Sequence, residues 1–168
     1  MDQSHRNYCA EQFDLHSGRL LRFIRRLGGG PNSEDLLQEL FFRFIRQTQT
    51  SDLKGRELPW LYRVARNLVI DTHRKSNREF PLSNAEAATR TSEEGPLFRE
   101  EILAQMFQTA REMGERYATL LHLLAETRLS QTEVAGVLGI STRSVRRMTE
   151  QLHSTVSLKL KDWKEFIE

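Results

Sequence analysis

The stretch SEDLLQELFFRFI, residues 33–45, decides the fold. Leu36, Leu37, Leu40, Phe41, Phe44 and Ile45 recur at i, i+1, i+4, i+5, i+8 and i+9, a spacing that lines one face of a helix with 3.6 residues per turn. Ser33 is expected to cap this helix, with Glu34 and Asp35 in its first turn, where the helix dipole favours negative charge. Toward the N-terminus, the run from Gly28 to Pro31 supplies glycines that tolerate positive φ and a proline that blocks continuation. It should end an earlier helix spanning much of Asn7 to Leu27, with Phe13, Leu20, Phe23, Ile24 and Leu27 facing a core. Toward the C-terminus, Gln49 to Arg56 reads as a polar connection. A third helix is expected from about Pro59 to about Lys75, with Leu61, Val64, Ala65 and Leu68 inward; proline is tolerated in a first turn because that N–H is unpaired anyway. Alternating β-branched runs are nearly absent, so the chain reads as all-α.

The whole chain has 168 residues, with 25 Lys+Arg against 23 Asp+Glu. That balance hides three parts: residues 1–78 carry 14 basic and 9 acidic residues, 79–100 carry 2 and 5, and 101–168 carry 9 and 9. From Glu79 to Pro96 helical periodicity gives way to Ser, Asn, Ala, Thr, Glu and Pro, the composition of a linker. The expected organisation is two small helical domains, 1–78 and 98–168, joined by a flexible acidic linker at 79–97. Domains of about 70 to 80 residues bury only about 60% of their surface and are modestly stable. The linker, fully extended, would reach about 60 Å.

No apolar run is long enough to span a bilayer, and the polar N-terminus has no signal-peptide core, so a soluble, unexported, cytoplasmic protein is expected. Cys9 is the single cysteine and has no partner for an internal disulfide. The glycines at 28–30 lack the Gly-Lys-Ser/Thr of a phosphate loop, and His5, His16, His73, His122 and His153 show no metal-ligand spacing. No nucleophile, base and orienting acid assemble. The sequence therefore argues against an enzyme and calls for no metal or cofactor.

Two constellations remain. The first lies between Ser130 and Leu152. Ser130 and Glu133 have capping-box spacing, and Val134, Ala135 and Leu138 point inward before Gly139. Ser141 can cap a second helix carrying Val145, Met148 and Leu152. Small, glycine and apolar residues at Ala135, Gly139 and Val145 suit the close crossing of a helix-turn-helix. Its outward face would offer Thr142, Arg143, Ser144, Arg146 and Arg147, and arginine forks reach guanine edges or phosphates. A solvated helical hairpin is the plainer alternative. With no net charge over residues 101–168, the domain should bind DNA weakly alone.

The second constellation is on the third helix. Trp60, Arg63, Asn67, Asp71, Arg74 and Arg78 are spaced 3, 4, 4, 3 and 4 apart and share one stripe, flanked by Tyr62, Arg66, His73 and Lys75. Aromatic rings interleaved with cations suit unstacked bases and single-strand phosphates, each stacked base contributing about 1–3 kcal/mol. Alternatively, Trp60 covers the core, Asp71 pairs with Arg74 or Lys75, and the rest is a solvated face.

With both constellations in place, the sequence resembles the RNA polymerase sigma factors of the extracytoplasmic-function (ECF) type, bacterial proteins of two core domains. Residues 33–45 are similar to the family's polymerase-binding segment, and PWLYRVARNLVIDTHRK, residues 59–75, to its −10 element segment. The resemblance implies that Asp35, Leu36, Gln38, Glu39, Phe42 and Arg43 dock on the β′ clamp helices of core polymerase. It implies that the third-helix residues named above open the −10 element and hold its non-template strand, and that Thr142, Arg143, Ser144, Arg146 and Arg147 read the −35 element, the second domain also contacting the β flap. The acidic linker would thread a basic channel toward the RNA exit. Double- and single-stranded promoter DNA, core polymerase and an anti-sigma factor, in this family often membrane-anchored, are the implied partners, with nucleoid association in the holoenzyme. Size and C-terminal tail are similar to the ferric-citrate, iron-starvation branch. Two places depart from the family: REMGERYA, residues 111–118, replaces the usual Leu-Pro, and RRMTEQ, residues 146–151, replaces the usual Lys-Ser-Arg run. A regulator that binds DNA without polymerase, or a purely structural helical module, are the competing readings.

Overall fold

The computed structural model describes residues 1–76 and 97–167. Every regular element among them is helical, and the chain divides into two compact units between Ser83 and Asn84. Most of the expected acidic linker, together with Arg78, lies outside the described residues; Leu97 is the first residue of α4.

The first unit comprises α1 (Gln3–Arg26), a single 3-10 turn (Gly30–Asn32), α2 (Ser33–Thr50) and α3 (Glu57–Lys75), each helix packing on the other two. Helix α1 starts four residues earlier than its apolar pattern suggests, because the Asp2 carboxylate accepts the N–H of His5 at 2.8 Å and caps it. It ends where expected. Gly28 takes φ 89°, so that its own N–H reaches the Arg25 carbonyl and the N–H of Gly29 reaches that of Ile24, closing the last turn. Ser33 does not cap α2: Asn32 holds the cap position without a side-chain bond, and the Ser33 hydroxyl instead donates to the Gly30 carbonyl at 2.7 Å. The proline-containing turn has already brought the chain into helical conformation there, so the buried serine ties the turn down.

Leu20, Phe23, Ile24, Leu37, Leu40, Phe41, Phe44, Leu61, Tyr62, Ala65, Leu68 and Val69 form the core of this unit. Phe23 and Tyr62 meet edge to face at 4.9 Å, as do Phe41 and Phe44 at 6.1 Å. Leu36, Ile45 and Val64, at the margins of their stripes, are only half-buried. Phe13 was expected inside but is 42% exposed; its ring lies over the edge of Phe41, at 4.8 Å, rather than under it. The polar connection hides one anchor, Leu53, and Gly55 supplies a positive φ before α3. Helix α3 begins at Glu57, so Pro59 falls within its first turn, and His73, Arg74 and Lys75 occupy its last turn, where the dipole favours cations.

The second unit comprises α4 (Leu97–Met113), α5 (Glu115–Glu126), α6 (Gln131–Leu138) and α7 (Thr142–Ile167). Gly114 at φ 127° separates α4 from α5. The expected capping box is formed: the Glu133 N–H donates to Ser130 Oγ at 3.2 Å and the Ser130 N–H to Glu133 Oε2 at 2.7 Å. Gly139 adopts the left-handed conformation, and the Ile140 N–H reaches back to the Ala135 carbonyl at 3.1 Å. Ser141 Oγ then accepts the Ser144 N–H at 3.1 Å, starting α7. Val134, Ala135, Val137, Leu138, Val145, Met148, Leu152 and Val156 are buried with Leu120, Leu121 and Leu123 of α5. Helix α7 continues without a break well past Leu152 and is fixed to α4 by a Lys159–Glu112 ion pair and to α5 by the Tyr117 hydroxyl donating to Gln151 at 2.6 Å.

Candidate nucleic-acid interface

On α3 a rotation of 100° per residue separates two faces. Leu61, Tyr62, Ala65, Leu68 and Val69 point into the unit, while Arg63, Asn67, Asp71, Arg74 and Lys75 are exposed. Trp60 sits at the border, half-buried, with its ring 5.9 Å from that of Phe44. Among the described residues no ion pair engages Arg63, Asp71, Arg74 or Lys75, so the intrahelical pairing that would make the stripe a self-neutralised surface is not formed. Two residues expected on the interface are not there. Tyr62 is 0% exposed, and Arg66, one turn later on the same side, is 8% exposed. Tyr62 lies about 200° around the helix from Trp60, on the core side, so adjacency in sequence misplaces it. His73 is half-buried at the stripe's edge.

On α2, Asp35, Gln38, Glu39 and Phe42 follow i, i+3, i+4, i+7 spacing and are exposed, with Leu36 half-buried beside them and Phe42 68% exposed. Glu39 accepts a 2.7 Å bond from Arg43 Nε. The next face round, Arg43, Arg46, Gln47 and Thr50, meets Trp60 and Val64 across an open groove of about 460 Å³.

A second concavity, about 450 Å³, is bordered by His5, Tyr8 and residues 48–54. The Tyr8 hydroxyl donates to Glu57 Oε1 at 2.8 Å, and burial together with that carboxylate pushes its pKa well above the ordinary phenol range. The Thr48 hydroxyl lies 2.9 Å from the Phe44 carbonyl, to which it donates, and 2.9 Å from His5 Nε2. Buried Cys9 lies 3.6 Å from the same nitrogen. The i, i+4 relation of His5 and Cys9 is invisible if the helix is taken to start at Asn7. Among the described residues no group of three or more His, Cys, Asp or Glu could hold a metal ion.

On α7, Arg143, Arg146 and Arg147 are exposed and Thr142 and Ser144 half-buried. Arg146 Nε donates to Gln131 Oε1 of α6 at 3.0 Å, and Ser144 Oγ accepts from Ser141 Oγ at 3.0 Å. Val145, between the arginines, is fully buried and sets their direction. No described helix is long and apolar enough to cross a membrane.

Residues 13–79, which take in α2, α3 and more than half of α1, match the Sigma-70 region 2 family. The first unit is thus similar to region 2 of the RNA polymerase sigma factors. Full-length relatives point the same way. The chain is 25% identical over 166 residues to the ECF RNA polymerase sigma factor SigW of Bacillus subtilis, covering 91% of this chain and 89% of SigW. It is 26% identical over 156 residues to the ECF sigma factor BldN of Streptomyces coelicolor, covering 89% of this chain and 59% of BldN. The solved structure of CnrH in complex with the cytosolic domain of CnrY shares the fold, with a TM-score of 0.62 at 20% identity over 94% of this chain and 90% of that one. These likenesses support the role of an alternative RNA polymerase sigma factor of the ECF type in transcription initiation.

Proposed function

We propose that the first unit docks on the β′ clamp helices of core polymerase through Asp35, Leu36, Gln38, Glu39, Phe42 and Arg43, and captures the opened −10 element along α3. Trp60, Arg63, Asn67, Asp71, Arg74 and Lys75 make that contact. The observation that carries the reading is the exposed, unpaired polar face of α3 within the segment that matches sigma-70 region 2. Binding energy released when unpaired bases are held offsets the cost of melting, so recognition and opening are one event. Polymerase performs the bond-making chemistry.

In the same proposal, α6 and α7 form a helix-turn-helix, with Arg143, Arg146 and Arg147 reading the −35 element and Thr142 and Ser144 beside them. The capping box, the left-handed Gly139 and the buried Val145 support it. Residues 79–97 would tether the two units. Because residues 101–168 carry equal numbers of acidic and basic side chains, this unit relies on the polymerase-bound first unit for its local concentration at the promoter. The partners are core polymerase, including its β flap, promoter DNA and an anti-sigma protein; the solved CnrH structure holds the cytosolic domain of CnrY. Membership of the ferric-citrate, iron-starvation branch belongs to this proposal too, and transcript profiling under iron depletion tests it. The site assignment is tested by permanganate footprinting of the holoenzyme. Asn67→Ala and Trp60→Ala should reduce thymine reactivity across the −10 region while core association is retained; unchanged reactivity would remove α3 from melting.

A further inference from the structure

Three donor atoms that the proposed function leaves unused converge where the start of α1 meets the end of α2. His5 Nε2 lies 3.6 Å from Cys9 Sγ, Thr48 Oγ1 lies 3.8 Å from the same sulfur, and Nε2 and Oγ1 are 2.9 Å apart. None of the three residues belongs to the docking face of α2, to the exposed stripe of α3 or to the second unit. We propose that this triangle is one face of a tetrahedral zinc site. Its ligands are the Cys9 thiolate, His5 through Nε2 and Thr48 through its hydroxyl oxygen, with water in the fourth position.

The spacing carries the argument. Zinc holds sulfur at about 2.3 Å, imidazole nitrogen at about 2.0–2.1 Å and oxygen at about 2.0–2.2 Å. At the tetrahedral angle those lengths separate sulfur from nitrogen by about 3.6 Å, sulfur from oxygen by about 3.6 Å and nitrogen from oxygen by about 3.4 Å. The two edges that meet at Cys9 Sγ already match to within about 0.2 Å. The third is about 0.5 Å short, because a hydrogen bond closes it in the absence of a metal. His5 and Cys9 stand at i and i+4 on α1, the spacing that puts two ligands one turn apart on one helical face. Thr48 comes from α2, and its hydroxyl donates to the Phe44 carbonyl, so its oxygen keeps lone pairs. His5 Nδ1 is buried and makes no hydrogen bond, which leaves the ring's polar contacts at Nε2, beside Sγ and Oγ1. Cys9 is only 6% exposed, where a bare thiolate is costly and a bound dication would compensate it. His5 and Thr48 also border the concavity of about 450 Å³, which gives metal and water a way in. Asp52 and Lys54 in its wall are opposite in charge, so the thiolate is the net charge that draws the cation. Loading breaks the Cys9 S–H bond, gives its electron pair to zinc and releases one proton, with no change of oxidation state. With a hydroxyl as third ligand, the site needs no cluster of three His, Cys, Asp or Glu, and none exists among the described residues.

The test uses the full chain, stripped of metal, with cobalt(II) or zinc alone as the probe. Cobalt(II) should bind one-to-one and show thiolate-to-metal charge-transfer absorption in the near ultraviolet, and zinc should displace it. Each zinc bound at about pH 7 should release about one proton. Cys9→Ser should abolish the charge-transfer band. His5→Gln should weaken zinc binding by about 100-fold or more, and Thr48→Val by about tenfold. Zinc should raise the Tm of the wild-type chain and leave that of His5→Gln unchanged, because the site ties α1 to α2. His5→Gln changes a half-buried residue and keeps the test decisive if Cys9→Ser loses stability. Cobalt spectra without a thiolate band overturn the proposal. So does unchanged affinity in His5→Gln or Thr48→Val, which would leave His5, Cys9 and Thr48 as a hydrogen-bonded cluster. A band that appears only after urea has unfolded the chain overturns it as well.

Discussion

Tyr62 and Asn67 lie on the same helix five residues apart, the first buried and the second exposed. Tyr62 is fully buried with its ring edge-on to Phe23 at 4.9 Å, in a core shared by all three helices of the first unit. Removing a buried aromatic ring costs about 3–5 kcal/mol through lost transfer energy and the cavity left behind. A domain of this size has total stability of only about 4–11 kcal/mol, at roughly 0.05–0.15 kcal/mol per residue. Tyr62→Ala should therefore lower the Tm of the first unit by about 12 °C or more, at about 4–8 °C per kcal/mol. Tyr62→Phe, which keeps the ring, should lose far less. Asn67→Ala, at an exposed position, should stay within about 0.5 kcal/mol of wild type while weakening capture of the unpaired strand. Thermal melts followed by circular dichroism, paired with holoenzyme binding to a DNA probe that carries a single-stranded tail, measure both effects. The reasoning would be refuted by a Tyr62→Ala protein that melts normally yet fails to bind DNA, since that would put the tyrosine on the nucleic-acid surface.

Three further perturbations report on separate parts of the chain. Gly29→Ala should destabilise the first unit by about 1–3 kcal/mol, because an added Cβ would stand 2.6 Å from Ile24 Cγ2 and 2.7 Å from Ser33 Oγ, whereas Gly136→Ala meets nothing within 4 Å and should stabilise α6 by roughly 0.5–1 kcal/mol; urea titrations compare the two. Ser130→Ala removes one half of the capping box and should cost the second unit about 1 kcal/mol, read from the shift of its urea midpoint. Burial and neighbouring Arg19 hold His16 below the ordinary imidazole range. The unfolded chain thus takes up a proton that the folded chain resists. This contribution is fully present above the unfolded pKa of about 6.5 and is lost as pH falls below it. Tm measured from about pH 7.5 down to about 5 should fall less steeply in His16→Gln; an identical slope would mean that His16 is not coupled to folding.

Helices α2 and α3 were legible because their apolar residues keep phase over several turns, and the second unit's caps were legible because Ser130, Glu133, Gly139 and Ser141 act locally. What sequence alone misplaced depended on something longer-ranged or on a finer reading of phase. The first turn of α1 has no apolar period; its only local mark is the Asp2 cap, so periodicity alone places the helix start near Asn7 and does not reveal the His5–Cys9 contact. Ser33 has the right chemistry for a cap, yet the preceding 3-10 turn had already taken that position. Tyr62 and Arg66 were grouped with the stripe by adjacency, although Leu61, Ala65 and Leu68 bracket them on the inward side and a stricter count of angle would have found this. Phe13 follows the apolar phase of α1 but lies where α2 no longer covers it fully. The groove formed by Arg46, Gln47, Thr50 and Trp60 depends on how two helices pack, which no single-helix period records. On α2 the spacing of Asp35, Gln38, Glu39 and Phe42 was readable, but that Phe42 stands in water was known only once Leu40, Phe41 and Phe44 were seen to fill the core.

The central claim is that this chain directs core polymerase to promoters. Genomic DNA of the source organism, transcribed in vitro by core polymerase with and without the full chain, tests it most directly when the RNA 5′ ends are sequenced. The account predicts a discrete set of new start sites that share paired upstream elements, and their loss with Trp60→Ala combined with Asn67→Ala. Start sites that are the same with and without the chain would contradict it.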